Sequence, residues 1–329
     1  MGIITKFLKA LIKRVVATSL VWRILTGKRW RDQLVVLMYH KVVADTPDAH
    51  ELTIRHFRHQ LDWLTKNFDV LTPEQFVSLD RNRKLTGKPK VLLTFDDAFI
   101  SIQEHVYAEL KKRGLRGLVF VPSEPVIEND TIWPQLNSDL FMCGEYEQLP
   151  AFDGSDRELA PRNMQERIAA EKEVRQRLKK MPNTERRAAM DKLKAAANWT
   201  SDQLQHDSRI MSWSELRACA DVFSYGGHTH THPIMSSQSR QAQRDDVQTC
   251  VEHLHNELGV APLMFAYPNG EPGDYNEDSI AVLREAGYQW AFTTEEGIYR
   301  LGDDPMTIRR LPTWAPEPGD LAWLIYTAA

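Results

Sequence analysis

The sequence predicts an α/β fold on a parallel sheet, either closed as a barrel or open. Three observations carry that expectation. Short apolar runs of strand length alternate with stretches of helical periodicity from Asp32 onward. The apolar runs are continuous, as in strands covered on both faces. Acidic and imidazole side chains follow directly on some of these runs, which favours a barrel-like layout with the chemistry on loops at its C-terminal rim.

Taken in order, residues 34–39 are the first apolar run, and Phe57, Leu61 and Leu64 mark the helix after it. Thr72-Pro73-Glu74-Gln75 reads as a capping box with proline at the first helical position. Residues 91–95 form the next strand, residues 100–113 a helix stopped by Gly114, and residues 118–121 another strand. The rhythm then breaks. Residues from about 124 to 209 read as a helical insertion, rich in Glu, Arg, Lys, Ala and Met between 157 and 199. Ser212-Trp213-Ser214-Glu215 is a second capping box. Strand-like runs resume at 222–225, 263–267, 290–293 and 306–309, with intervening helices stopped by Gly259 and Gly287.

Bulk composition narrows the function classes. A chain of 329 residues with 42% hydrophobic content and a net charge of -4 is globular, and its charge implies no general affinity for nucleic acid. Cys143, Cys219 and Cys250 are scattered, without metal-type spacing, and mildly favour a reducing compartment. The N-terminus departs from this balance. Eight basic residues lie between Lys6 and Arg31, before the first acid at Asp32, with Ile4, Phe7, Leu8, Leu11, Val15, Trp22 and Leu25 at roughly helical spacing. Residues 1–32 therefore read as a basic amphipathic helix ahead of one domain over residues 33–329. Peripheral contact with an anionic membrane through residues 1–31, at the cytoplasmic face, fits best. An exported or anchored segment and a helix packed on the domain are the alternatives.

Two stretches carry the chemistry. Asp96 and Asp97 end the apolar run 91–95. Adjacent carboxylates repel unless a metal ion holds one ionised and leaves the other free as a base, although Asp residues also cap helices. Gly226-Gly227 precedes His228-Thr229-His230-Thr231-His232-Pro233. In an extended strand the three histidines would share one side; in a helical turn His228 and His232 converge while His230 points away. The glycine pair and Pro233 favour a turning loop. Two histidines, a carboxylate and open positions make an ordinary catalytic zinc set.

These stretches resemble the motifs of the polysaccharide deacetylase family, the NodB-homology carbohydrate esterases. Thr94-Phe95-Asp96-Asp97-Ala98 matches its T-F-D-D-G motif, and His228-Thr229-His230-Thr231-His232 its H-[ST]-x-x-H motif. The resemblance implies a distorted (β/α) barrel, here with a helical insertion, that removes N-acetyl groups from an amino-sugar polysaccharide, glycolipid or lipid-linked sugar. It further implies Asp96 as general base, and Asp97, His228 and His232 as ligands of a divalent metal, Zn²⁺ first. The third motif reads Phe265-Ala266-Tyr267-Pro268-Asn269-Gly270, with Ala266 near the place of the family's arginine. Tyr267, Pro268 and Asn269 are then the oxyanion and substrate-binding stretch, with the Asn269 backbone N–H as oxyanion donor. Arg310 is a candidate to replace the missing arginine. No histidine follows His255, so the family's C-terminal general acid is absent. His40, at the tip of run 34–39, takes that role as in permuted members. Trp133, Trp213, Tyr275 and Trp314 are candidate sugar-stacking rings or plain packing. A hydrolase of another amide or ester and a catalytically weak carbohydrate-binding relative are the alternative readings.

Overall fold

The structure is a computed structural model and describes residues 13, 15–18, 21–22, 30, 32–45, 51–81, 84–152, 158–314 and 317–329. Seven parallel strands follow one another round a barrel: β1 (Gln33–Tyr39), β2 (Lys90–Phe95), β3 (Gly117–Val121), β4 (Phe223–Gly227), β5 (Met264–Ala266), β6 (Trp290–Glu296) and β7 (Ile308–Pro312). The ring closes because β7 pairs with β1, Leu37 facing Leu311 and Met38 facing Pro312. β1 pairs on its other side with β2, from Leu34–Lys90 to Tyr39–Phe95. Closure decides for the barrel over the open sheet. Short strands Asp69–Leu71 and Tyr299–Arg300 extend β2 and β1 outside the ring.

Side-chain alternation divides the strands between two cores. Leu34, Val36, Leu92, Phe120, Met264, Phe292 and Ile308 pack together inside the ring. Val35, Leu37, Tyr39, Val91, Leu93, Val119 and Val121 face outward to the helix layer. Helix Ile54–Asn67 meets that layer with Phe57, Leu61 and Leu64, and Thr53 caps its N-terminus. Both capping boxes form, at Thr72 and Ser212.

The insertion contains helices α1 (Trp133–Cys143), α2 (Met164–Lys179) and α3 (Asn183–Ala196). They enclose a core of their own, with Leu136, Leu140, Phe141, Val174, Leu178, Met190 and Leu193.

Three expectations change. The last strand runs Ile308–Pro312, not 306–309, so Arg310 lies within it, in phase with inward-facing Ile308. Residues 100–113 are not one regular helix: Ile102–Val106 is a π-turn leading into helix Tyr107–Arg113, which Gly114 ends at φ 62°. The expected N-terminal helix falls mostly outside the described residues. Among those described, Trp22 does not belong to a free apolar face. It is fully buried, 5.1 Å from the Trp63 ring and 5.6 Å from Phe68, and the Trp63 indole donates to Ala17 O at 2.7 Å. No helix of the described residues is long and apolar enough to cross a membrane.

Candidate active site

The C-terminal ends of the strands open into a cleft of about 650 Å³. A second cavity, of about 500 Å³, lies at the opposite end among Pro73, Val77, Phe223, Leu258 and Met264. The mechanistically useful groups converge on the first.

β1 delivers His40 and β2 delivers Asp96 and Asp97. The strand ends are tied together by the Asp96 N–H, which donates to Tyr39 O at 2.9 Å. Asp97 and Ala98 then turn the chain in the left-handed region, at φ 69° and 57°. This sharp turn sends two adjacent carboxylates into two different surroundings. Asp96 points back over the barrel interior, where Arg310 grips it through two parallel hydrogen bonds, Nη1–Oδ1 and Nη2–Oδ2, both 2.7 Å. Arg310 is fully buried. Its Nε donates to Thr293 O at 2.7 Å and its Nη1 also reaches Thr94 Oγ1 at 3.2 Å. Burial alone would raise the Asp96 carboxyl, but the Arg310 charge and hydrogen bonds outweigh it and hold Asp96 below the usual carboxylate range.

Asp97 faces the histidines. Its Oδ1 lies 3.2 Å from His228 Nε2 and 3.4 Å from His232 Nε2, and the three donor atoms all fall within 4.8 Å of one another. All three residues are buried. His228 Nδ1 lies 2.7 Å from Ala266 O, so it donates there and turns Nε2 toward Asp97. Asp97 Oδ1 is buried without a hydrogen bond. A carboxylate oxygen and an imidazole nitrogen 3.2 Å apart are held together by positive charge, either a shared cation or the proton of an imidazolium. Burial acts to lower His228, yet Asp97 and Asp96 beside it hold it above the ordinary imidazole value. Burial pushes His232 down, toward the neutral form that ligates. Burial would raise Asp97, but the two imidazoles keep it well below the usual carboxylate range. A tetrahedral ion with bonds of about 2.0–2.1 Å spaces its ligands about 3.3 Å apart, so the donor set fits a zinc-type ion.

The histidine loop takes the turned geometry, not the extended one. Thr229 and His232 are left-handed, at φ 65° and 50°. His230 turns away, with Nδ1 2.9 Å from Ser123 Oγ. The glycine pair, however, does not make the turn. Gly226 and Gly227 end β4, and their reason is packing: a Cβ on Gly227 would stand 2.1 Å from the Tyr288 hydroxyl, and one on Gly226 2.7 Å from Met264 O.

His40 stands across from the carboxylates, Nε2 3.9 Å from Asp96 Oδ2 and 4.0 Å from Asp97 Oδ2, with 44% of its side chain exposed. Asn269 lines the same cleft and turns the chain at φ 59°. The other two residues of that stretch do not line the cleft. Tyr267 is fully buried in the outer core; its hydroxyl donates to Met306 O at 3.0 Å and its ring stacks on Tyr275 at 4.3 Å. Pro268 is buried and its carbonyl accepts from Gly270 N. Arg310 likewise meets Asp96 rather than substrate. Of the four aromatic candidates only Trp314 is an open ring on the cleft, 71% exposed. Trp133 is buried, Tyr275 stacks on Tyr267, and Trp213 stacks on His253.

The cleft also holds Lys41, Glu51, Gln135 and Arg175, none of which the sequence singled out. Burial lowers Lys41, whose Nζ reaches Ser208 Oγ at 3.2 Å. Asp246 was missed as well. It is pushed up by burial, and it accepts from the N–H groups of His230 and Thr231, the latter at 3.1 Å, and from the Thr231 hydroxyl. In the sequence it is one acid in a polar helix, with nothing to separate it from solvated neighbours.

The polysaccharide deacetylase family matches residues 159–291, a stretch that contains the histidine motif and the 265–270 stretch. YxkH of Bacillus subtilis (strain 168), described as a polysaccharide deacetylase, is 28% identical over 90 residues, which are 27% of this chain. That alignment spans only about a third, 32%, of YxkH. The fold is shared with the Streptococcus pyogenes deacetylase PplD, solved in complex with acetate, at TM-score 0.60 and 18% identity over 90% of this chain and 99% of that one. It is shared also with IcaB from Ammonifex degensii, at TM-score 0.59 and 20% identity over 89% and 97% of the two chains.

Proposed function

We propose that this chain, whose residues 159–291 match the polysaccharide deacetylase family, is a member of that family and a metal-dependent hydrolase that removes N-acetyl groups from an amino-sugar chain. The observation that carries the reading is the division of labour between Asp96 and Asp97. One is locked by a buried guanidinium as an ionised base, and the other converges with two imidazoles on a point that needs a cation.

Held by Asp97, His228 and His232, a divalent ion, zinc first, would supply Lewis acidity to activate water and polarise the acetyl carbonyl. The chain's own residues do the rest. Asp96, kept ionised and fixed in direction by Arg310, takes the proton of the attacking water. The Asn269 N–H, at the left-handed turn on the cleft wall, is the donor for the developing oxyanion. His40, reached from solvent, is the group placed to give a proton to the departing sugar amine. Positioned acid–base groups of this kind contribute roughly 10²–10⁴ each to rate. Trp314 offers an apolar face for a sugar ring, and the cleft, open to solvent, suits a chain that lies across it.

The test is acetate release from N-acetylated chitooligosaccharides and lipid-linked N-acetyl sugars, after chelation and after zinc is restored. Release that stops with chelator and returns with zinc is expected. No acetate under any divalent metal would sink the reading, and release from simple esters alone would move it to another hydrolase class.

We also propose that the basic N-terminal run brings the enzyme to anionic membrane surfaces. Since Val16, Trp22 and Trp30 are buried in the domain, residues 1–12 are the segment to delete. Cosedimentation with anionic vesicles should fall on deletion; equal binding of both forms would remove this role.

A further inference from the structure

We infer that the helical insertion is a positioning element for the histidine loop: Trp133, Asn183 and the insertion's apolar core fix His232 in the conformation that presents it to a metal ion. The inference rests on the metal site proposed above and adds residues that no motif of that site contains.

The loop needs external support. Thr229 and His232 both take left-handed backbone conformations that residues with a Cβ rarely adopt, and such conformations persist only where surroundings over-determine them. On the barrel side Asp246 binds the His230 and Thr231 N–H groups, but nothing in that contact reaches His232 itself. The insertion does. The Trp133 indole N–H donates to His232 O at 3.1 Å, in a buried contact. Asn183 Nδ2 donates to Thr231 Oγ1 at 2.9 Å. Two residues past the ligand, Ile234 is buried in the insertion's core beside Trp133 and Leu193, not in the barrel's. His232 is thus tied through its own carbonyl, through the residue before it, and through a side chain buried in the insertion's core just after it.

Trp133 and Asn183 are themselves joined. The Arg186 guanidinium lies 4.9 Å over the Trp133 ring and donates to Asn183 Oδ1. Arg186 is 1% exposed, so this bracket is assembled in the interior and cannot swing freely. A second insertion contact goes elsewhere: Lys179 Nζ binds Glu271 Oε2 at 2.7 Å and Asp274 Oδ2 at 3.0 Å, on the loop that follows Asn269. It therefore serves as an internal control. It joins the insertion to the rim without touching the histidine loop.

Partners that orient metal ligands from behind typically weaken metal binding about 10- to 100-fold when removed. The experiment measures the zinc Kd of the full chain by competition with a chromophoric chelator. Trp133→Phe keeps an aromatic ring over Arg186 and deletes the donor; Asn183→Ala deletes the second tie; Lys179→Met cuts the control contact. Trp133→Phe should weaken zinc about tenfold or more and Asn183→Ala several-fold. At saturating zinc both should recover wild-type KM, which a general loss of structure would not allow. Lys179→Met should bind zinc within twofold of wild type. Wild-type zinc affinity in both Trp133→Phe and Asn183→Ala overturns the inference, as does an equal loss in Lys179→Met. If Trp133→Phe does not fold, Asn183→Ala at its half-buried site carries the test alone. Failure of the metal reading looks different: wild type would then bind zinc no better than His232→Ala.

Discussion

The two halves of the site are built in opposite ways. The carboxylate half sits on the tip of β2 and is held from inside the barrel, by one guanidinium from β7 and one backbone bond to β1. The histidine half hangs on a loop past β4. His228 is tied to β5 through Ala266 O, and the rest of the loop is held from three outside directions: helix Arg240–Leu258 through Asp246, Ser123 just after β3, and the insertion. A base needs one exact direction and one fixed charge state, which a single bidentate partner provides. Metal ligands need several atoms brought to one point, and distributed contacts provide that. The first half should therefore fail abruptly through few residues, and the second gradually through many.

The abrupt failure gives the largest expected effects. Asp96→Asn should cost roughly 10²–10⁴ in kcat while zinc Kd stays at the wild-type value; an unchanged kcat would remove Asp96 as base. Arg310→Met leaves a buried carboxylate without its partner, and breaking such a pair costs about 3–5 kcal/mol. The pH dependence has a definite sign. In the wild type Asp96 lies below its unfolded value of about 3.9, so its contribution to stability is present above that value and is lost as pH falls through the lower folded one. Without Arg310, burial is opposed only by the His40 and His228 imidazoles, and the carboxyl rises. The stability gap between wild type and Arg310→Met should thus be widest at neutral pH and narrow on acidification. The acid limb of kcat/KM should also move to higher pH. Denaturant titrations and rate profiles across pH 3–8 measure both, and a gap that widens on acidification would contradict the assigned pairing.

Gradual failure comes next in size. Asp246→Ala removes the acceptor for two backbone N–H groups and the Thr231 hydroxyl. Zinc affinity should drop about 10- to 100-fold, with kcat recovered once zinc is in excess. If excess zinc fails to restore turnover, Asp246 acts on the chemistry and the division between the two halves breaks down.

The same contrast explains what could be read from the sequence. Asp96, Asp97, His228 and His232 are legible because each lies in a short motif whose residues share one strand end or one loop. The alternation of strands and helices was legible for the same local reason. Barrel closure was not, since it depends on β7 meeting β1 across the whole chain. Arg310 was visible only as an arginine near a strand end. A shift of three residues in the strand's C-terminal boundary, from 309 to 312, turned it from a rim residue into one inside the barrel. Tyr267 was misassigned because a motif marks a stretch without saying which side of the strand each residue takes. Its hydroxyl goes outward to Met306. The glycine pair misled in a similar way, since close packing and turning require the same residue. Trp133, Asn183 and Asp246 are remote from the histidines in sequence, and only the fold reveals them as contacts.

The smallest predicted effects give the sharpest version of the comparison, because one hydroxyl group is removed from each half. Thr94 Oγ1 donates to Leu37 O at 2.8 Å and accepts from Arg310 at 3.2 Å. Ser123 Oγ pairs with His230 Nδ1 at 2.9 Å. A typical hydrogen bond contributes about 0.5–1.5 kcal/mol, which is about two- to twelvefold in an equilibrium or a rate. In Thr94→Val the loss should fall on kcat, through the guanidinium that aims Asp96, and zinc Kd should hold. In Ser123→Ala it should fall on zinc Kd, and kcat at saturating zinc should hold. The two variants change similar hydrogen-bonding capacity at buried sites near the same cleft, so a nonspecific loss of stability would move both readouts in both proteins. A crossed pattern, one readout each, is what separate support of the two halves requires; parallel losses would mean that the carboxylate tip and the histidine loop behave as one cooperative unit.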